Sequence, residues 1–119
     1  MQTIDPSGSA KVDADSVDTP EFGLSARALG LLRQLFAAYP EIRKATVYGS
    51  RAMGNYRNGS DIDIALDAPD MDSARFSHLC TAADDLMLPW AMDLSLLSQI
   101  HNSALLAHIQ RVGKPLWAR

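Results

Sequence analysis

The chain has 119 residues, of which 47% are hydrophobic, and a formal net charge of -3. This length predicts one domain with a single core and leaves no room for a second domain of comparable size. The composition lacks the basic excess by which proteins bind the phosphates of long nucleic acids, so we expect no long nucleic acid as substrate. No run approaches the ~20 apolar residues that cross a bilayer, and the start lacks a secretion-signal pattern. We therefore expect a cytoplasmic protein without a membrane segment.

The first 22 residues differ in composition from the rest of the chain. They contain five acidic residues and one lysine, and their apolar residues stand singly between polar ones. Such a segment buries too little apolar surface to offset the entropy lost on ordering. Residues 1–22 are therefore predicted to be a disordered acidic tail ahead of a domain at residues 23–119. The tail has two open roles, contact with a partner or a mere extension at the start site, and we favour the extension.

The first half of the domain shows one helical pattern followed by two strand patterns. From Ser25, a candidate cap, apolar residues recur every three or four positions and predict a helix over 25–39. Residues 44–48 are typical of a strand that stops at a glycine. A short helix or turn is predicted over 51–58, and a second strand over 61–66.

The second half repeats the alternation. Apolar residues at helical spacing over 76–86 predict a second long helix, residues 90–97 predict a third strand, and a last helix ends at Gly113. The order helix, strand, strand, helix, strand, helix predicts an α/β (α+β) domain with a small mixed sheet flanked by helices. The candidate caps are Asp72 or Ser73 for the second long helix and Asn102 or Ser103 for the last.

Three aspartates fall on the polar faces of two predicted strands. Alternate side chains share one face of a strand, so Asp61 and Asp63 point the same way, about 7 Å apart at the backbone. The third strand presents Asp93 in the same manner between apolar neighbours. Phosphoryl transfer with two metal ions needs shared carboxylates that hold the ions about 3.5–4 Å apart, and Mg²⁺ prefers oxygen ligands. We therefore predict all three as catalytic residues and as ligands of Mg²⁺, with two ions expected.

A turn suited to phosphate lies between the first two predicted strands. Gly49 lets the backbone approach a phosphate closely, and the hydroxyl and N–H groups at Ser50 can donate to it. This turn is predicted to hold the β- and γ-phosphates of a nucleotide. Arg51 and Arg57 either add bonds to the triphosphate or tie the turn to an acidic side chain. Ser60, next to the first aspartate, completes the nucleotide-binding candidates.

Other polar residues are interpreted without a catalytic role. Asp67 shares the strand face of the aspartate pair but precedes a proline-containing loop, so a turn role is favoured. Cys80 is interpreted as a small core residue, and His78 and His108 as surface or helix-packing residues. His101 follows the third strand. Of its two interpretations, a position near the site is the less favoured. Trp117 either completes the core or forms part of a surface that contacts a partner, and the sequence does not decide between these roles.

The motif Gly49-Ser50-Arg51-Ala52-x-Gly54, followed by Arg57-x-x-Ser60-Asp61-Ile62-Asp63, resembles that of the minimal nucleotidyltransferases of the DNA polymerase β superfamily. The resemblance covers residues 24–117. It implies that the two aspartates of the motif bind two divalent cations, and that the aspartate on the later strand joins one cation near the attacking hydroxyl. It also implies ATP as substrate: an acceptor hydroxyl attacks the α-phosphate, and diphosphate leaves.

Short members of this superfamily include the MntA-type antitoxins, which are paired with HEPN ribonuclease toxins. The resemblance implies that this chain transfers AMP to a tyrosine hydroxyl of such a toxin and thereby disables it, which allows a hetero-oligomer. The chain itself carries no HEPN ribonuclease signature. A separate polypeptide would have to supply that activity.

Two rival functions remain. The first is an aminoglycoside-like nucleotidyltransferase that acts on a small molecule, which is disfavoured because few residues remain after the last helix to enclose a drug. The second is a binding antitoxin without catalysis. The complete set of aspartates argues against it, although intact ligands alone do not establish turnover.

Overall fold

A computed structural model of the protein describes residues 21–119. The predicted tail lies outside the described residues except for its last two, which belong to a 3-10 turn, Glu21–Gly23. The carboxylate of Glu21 lies 3.2 Å from the guanidinium of Arg33. The carbonyl oxygen of Phe22 accepts a hydrogen bond from Arg51. Both residues are therefore in contact with the domain.

The first half of the domain holds two helices and two strands. Helix α1, Ala26–Ala37, begins after Ser25, whose hydroxyl accepts the N–H of Ala28 as predicted for a cap. Strand β1, the short helix α2 and strand β2 follow. Their bounds are Lys44–Tyr48 for β1, Ser50–Met53 for α2 and Ile62–Asp67 for β2.

The second half holds the remaining elements. Helix α3 is capped by Asp72, which accepts the N–H of Arg75, and helix α4 is capped by Asn102, which accepts the N–H of Leu105. A short 3-10 turn, Leu97–Gln99, precedes α4. The bounds are Ser73–Asp84 for α3, Met92–Leu96 for β3, Ser103–Val112 for α4 and Lys114–Ala118 for β4.

The four strands form one mixed sheet in the order β3-β2-β1-β4. Strand β1 pairs antiparallel with both β2 and β4, whereas β2 and β3 are parallel. The predicted α/β class with a small mixed sheet is therefore confirmed. Within residues 21–119 no helix combines the length and the apolar character needed to cross a membrane.

Strand β4 was absent from the sequence prediction, which ended the ordered pattern at Gly113. A proline is uncommon within a strand, because proline cannot donate to a ladder of backbone hydrogen bonds. Pro115 is tolerated because β4 lies at the edge of the sheet, and the pairing with β1 shifts register beside it. Leu116 of this strand is buried in the main core, and the half-buried Trp117 packs against that core.

The two faces of the sheet are covered differently. Helices α1 and α3 pack on one face, where the main core contains the apolar side chains of all four strands. A smaller cluster on the other face joins Tyr48 of β1 and Ala65 of β2 to Ile109 of α4. The polar faces of the strands lie on this second side.

Candidate functional site

Three polar side chains lie side by side where β1 ends and where β2 and β3 begin. Tyr48 pairs with Asp63 in the antiparallel register, and Asp63 pairs with Asp93 in the parallel register. Neighbouring strands are about 4.8 Å apart, so residues in register on one face are direct neighbours. Two of the predicted aspartates are thus brought together across the sheet.

The environment of Asp63 disfavours its negative charge. Its partial burial raises the pKa of the carboxyl above the usual value, and the charges of Asp93 and Asp61 raise it further. His108 opposes these effects in part. A carboxylate held beside two like charges gains most from a nearby cation, so the electrostatics fit a cation site.

Asp61 lies just before β2 and is exposed, as is Asp93 in β3. Within residues 21–119, no group of three or more His, Cys, Asp or Glu side chains is close enough to hold a metal ion. The donor chemistry nevertheless suits Mg²⁺, because carboxylate oxygens are the ligands it prefers. The described geometry therefore contains a pair of adjacent carboxylates, Asp63 and Asp93, with a third, Asp61, whose charge acts on Asp63.

Gly49 is required at its position for two reasons. Its φ of 74° lies in the left-handed region, which residues with a side chain rarely adopt. A Cβ atom there would also lie 2.6 Å from a carboxylate oxygen of Asp63, well inside van der Waals contact. The glycine therefore brings the turn before α2 close to the carboxylates, with Ser50 as the first helical residue.

Arg51 makes the contacts of a structural residue. Its guanidinium donates from Nε and one terminal nitrogen to the carbonyl of Ser60, at 3.0 and 2.8 Å, and also to the carbonyls of Phe22 and Asn58. It lies over the ring of Tyr56 at 4.9 Å. Of the two roles considered for this arginine, these contacts fit the one that ties down the turn, although its partners are carbonyls rather than a carboxylate.

Ser60 and Arg57 shape the loop that precedes Asp61. The hydroxyl of Ser60 accepts the N–H of Arg57 at 2.9 Å, and the N–H of Ser60 donates to the carbonyl of Arg57 at 3.0 Å. The side chain of Arg57 is exposed. The loop is thus folded on itself, and the arginine remains the cationic candidate that is open to solvent.

His108 lies at the site, where the sequence interpretation did not place it. Its Nε2 accepts the N–H of Gly49 at 3.2 Å, and its ring meets that of Tyr48 edge to face at a centroid distance of 6.2 Å. The sequence offered only a weak signal, because the bond joins residues 59 positions apart. The sequence interpretation also missed Tyr48. Burial raises the pKa of its phenol, and the charges of Asp63 and Asp93 add to this effect, while a hydrogen bond with Ser95 opposes it.

The remaining interpreted residues lie away from this centre. The ring of His78 contacts the hydroxyl of Tyr39, and His101 is exposed ahead of α4. Cys80 was predicted as a small core residue but is half-buried and not among the buried core residues, and its partial burial raises the pKa of the thiol. Asp67 lies at the opposite end of β2, in register with Lys44.

Two of the cavities that border the sheet within residues 21–119 do not include the three predicted aspartates. One of about 480 Å³ is lined by the N-terminal turn, α2 and the start of β4. The other, of about 580 Å³, lies between the start of α3 and β3. Neither lining contains Asp61, Asp63 or Asp93.

The mixed sheet, with a glycine turn beside paired strand carboxylates, fits the nucleotidyltransferase fold that the motif around Asp61 and Asp63 predicted. The family model described as "Polymerase beta, Nucleotidyltransferase" matches residues 31–119. The chain therefore belongs to the polymerase beta nucleotidyltransferase family. No curated protein shows significant sequence similarity to it.

Solved structures of toxin–antitoxin complexes contain similar chains. One is a toxin–antitoxin with AMP-PNP, at 25% identity and a TM-score of 0.63, with 76% of this chain and 73% of that chain covered. A mutant MntA-HpeT pair has 28% identity and a TM-score of 0.57, with 78% and 71% covered. A tri-AMPylated Shewanella oneidensis HEPN toxin in complex with MNT antitoxin shares the fold, at 24% identity, a TM-score of 0.57 and 78% and 71% coverage.

Proposed function

We propose that this chain is an antitoxin that transfers AMP from ATP to a hydroxyl group of a partner HEPN toxin. The proposed acceptor is the hydroxyl of a tyrosine. The observation that carries the proposal is the direct register of Asp63 and Asp93 beside the Gly49 turn. Paired carboxylates next to a phosphate-binding turn are what transfer from a nucleoside triphosphate requires. The similar chains of toxin–antitoxin complexes, one with AMP-PNP, support the choice of partner and nucleotide.

The residues of the site divide the task. Asp61, Asp63 and Asp93 would hold Mg²⁺, which when bound neutralises triphosphate charge and makes the acceptor hydroxyl more acidic. Gly49 admits the triphosphate to the backbone, and the hydroxyl of Ser50 donates to a phosphate oxygen. The acceptor oxygen bonds to the α-phosphorus as the bond to diphosphate breaks, and Asp93 receives the hydroxyl proton.

The test uses the full chain with a candidate HEPN toxin, taken from a neighbouring gene if that gene encodes a small helical protein. The two proteins are incubated with Mg²⁺ and ATP labelled at the α-phosphate, and mass spectrometry locates any added AMP. Asp63→Asn and Asp93→Asn remove a charge without changing side-chain size. Asp67→Asn is the matched control, because this residue lies on the same face of the same strand but at its far end.

The expected result is AMP on a tyrosine of the partner with the wild type and with Asp67→Asn, and none with the other two variants. A complex that forms and silences the toxin without any label would instead establish a binding antitoxin. Label on an added aminoglycoside, with none on the partner, would establish the small-molecule enzyme.

A further inference from the structure

The phosphate turn is tied to α4 by one side chain. Gly49 is the single residue between β1 and α2, and its N–H donates to Nε2 of His108 at 3.2 Å. The imidazole is half-buried, and its edge-to-face contact with Tyr48 fixes its position against the sheet. The neighbouring turn of α4 is itself anchored, because Ile109 is buried in the smaller cluster.

This bond restrains a residue that is otherwise unusually free. Glycine has access to more backbone conformations than any other residue, and it loses more entropy when it is held in one. Gly49 must keep a left-handed φ while it lies against the carboxylate of Asp63. A hydrogen bond to its N–H holds the preceding peptide plane and thereby the direction in which α2 begins.

We propose that His108 is a positioning residue for the nucleotide: its imidazole holds the Gly49 peptide so that the turn is already arranged when the triphosphate arrives. The nucleotide part of this inference rests on the function proposed above. Because Nε2 accepts the hydrogen bond from Gly49, the neutral imidazole carries its hydrogen on Nδ1. Arrangement in advance lowers the cost of ordering on binding, so the effect belongs to affinity rather than to the chemical step.

Matched variants separate the hydrogen bond from the size of the side chain. In His108→Gln the amide oxygen takes the place of Nε2 and still accepts the N–H. His108→Leu fills a similar volume but accepts nothing. His101→Leu is the control, since that histidine is exposed and precedes α4.

The first measurement needs no nucleotide. In the ATP-free protein at mildly alkaline pH, NMR is expected to show the Nδ1–H tautomer for His108 and a slowly exchanging amide at Gly49. His108→Leu should accelerate exchange of that amide, and His108→Gln should largely restore its protection. Unchanged exchange in the leucine variant would overturn the inference whether or not the protein binds ATP.

The second measurement is affinity for ATP with Mg²⁺, followed by steady-state AMP transfer. His108→Leu is expected to raise Kd and KM about tenfold, the factor that corresponds to one lost hydrogen bond, with little change in kcat. His108→Gln should return both constants to near the wild-type values.

Three results would contradict the inference. Tighter ATP binding by His108→Leu would mean that the imidazole competes with phosphate for the Gly49 N–H. Equal losses in the leucine and glutamine variants would mean that the ring acts through packing alone. A loss confined to kcat would assign His108 to the chemical step. Failure of the wild type to bind ATP would instead refute the proposed function, and the amide exchange would still decide whether His108 holds the turn.

Discussion

Arg51 is the one charged residue of the described chain that is buried, with 3% of its surface exposed. Its guanidinium donates to the carbonyls of Phe22, Asn58 and Ser60, so a single side chain fastens the N-terminal turn and the loop before Asp61 to α2. The planar guanidinium presents five donors in a fixed fork, and the three donors on the compact ammonium of lysine do not reach the same spread of acceptors. The position of the first aspartate therefore depends on a residue that need not touch the nucleotide.

Replacement of this arginine should destabilise the fold although the charge is kept. Arg51→Lys leaves buried carbonyls without donors, and the expected loss is about 3 kcal/mol in the free energy of unfolding, measured by urea denaturation. The matched change Arg57→Lys, at an exposed side chain, is expected to stay within about 0.5 kcal/mol. Equal stability of the two variants would refute the structural role of Arg51.

At this scale the sequence predicted the placement of residues whose position follows from strand parity. Asp63 and Asp93 share a face because side chains alternate, and they meet because both strands start at the same edge of a parallel pair. The contacts of Arg51 and His108 depend on how loops and a distant helix fold back. No local pattern encodes such contacts, so the sequence interpretation left one role open and missed the other.

At the scale of elements, the predicted boundaries were most accurate where a capping residue begins a helix or a glycine ends a strand. Strand β1 has its predicted bounds, and α3 and α4 begin at predicted caps. The failure at β4 has a physical origin in tertiary context. A strand with a proline is stable only at a sheet edge, and whether Pro115 lies at an edge is decided by pairing with β1, about 70 positions earlier in the chain.

If β4 completes the core, its buried leucine should matter for stability. Leu116 is 3% exposed and packs in the main core. Leu116→Ala is expected to cost about 2–4 kcal/mol in unfolding free energy through lost burial and a residual cavity. Lys114→Ala in the same strand, at an exposed position, should change it by about 0.5 kcal/mol or less. Guanidinium denaturation checks both, and a small loss for the leucine variant would mean that the strand is dispensable to the core.

An ion pair between the segment after α1 and helix α3 should make stability depend on acidity. Arg75 bonds both carboxylate oxygens of Glu41, at 2.7 and 3.1 Å, and this lowers the pKa of Glu41 from 4.5 to about 2. A carboxyl with a lowered pKa stabilises the folded state above its unfolded value, and the stabilisation is lost as the pH falls through the folded value. The relevant window is therefore between pH 4.5 and about 2.

The expected outcome is a difference in Tm between wild type and Glu41→Gln that is positive near neutral pH and shrinks across this window. Thermal unfolding followed by circular dichroism at a series of pH values measures it. Asp70→Asn, at an exposed carboxyl in the loop after β2, controls for the general removal of charge. A difference that stays constant from neutral pH to pH 2 would show that the pair contributes nothing through ionisation.

For the whole molecule, the unequal cover of the two sheet faces separates stability from chemistry. Helices α1 and α3 enclose the main core, whereas α4 covers the other face only in part and leaves Asp61 and Asp93, near the starts of β2 and β3, exposed. Charges that repel one another, such as those around Asp63, are tolerated at this open end. The fold therefore retains a destabilising cluster of negative charge that a bound cation would neutralise.

Ligand binding at this cluster should stabilise the whole molecule. A ligand that binds only the folded state, at 100 times its Kd, adds about 2.7 kcal/mol, which for a domain near 100 residues raises Tm by about 10 °C or more. We expect such a rise with Mg²⁺ and α,β-methylene ATP together, because that analogue blocks transfer. The nucleotide with EDTA should give much less, since the carboxylates then repel the phosphates. Asp63→Asn should abolish most of the rise and Asp67→Asn should keep it, as measured by thermal unfolding. An equal rise in both variants would place the nucleotide away from the paired carboxylates.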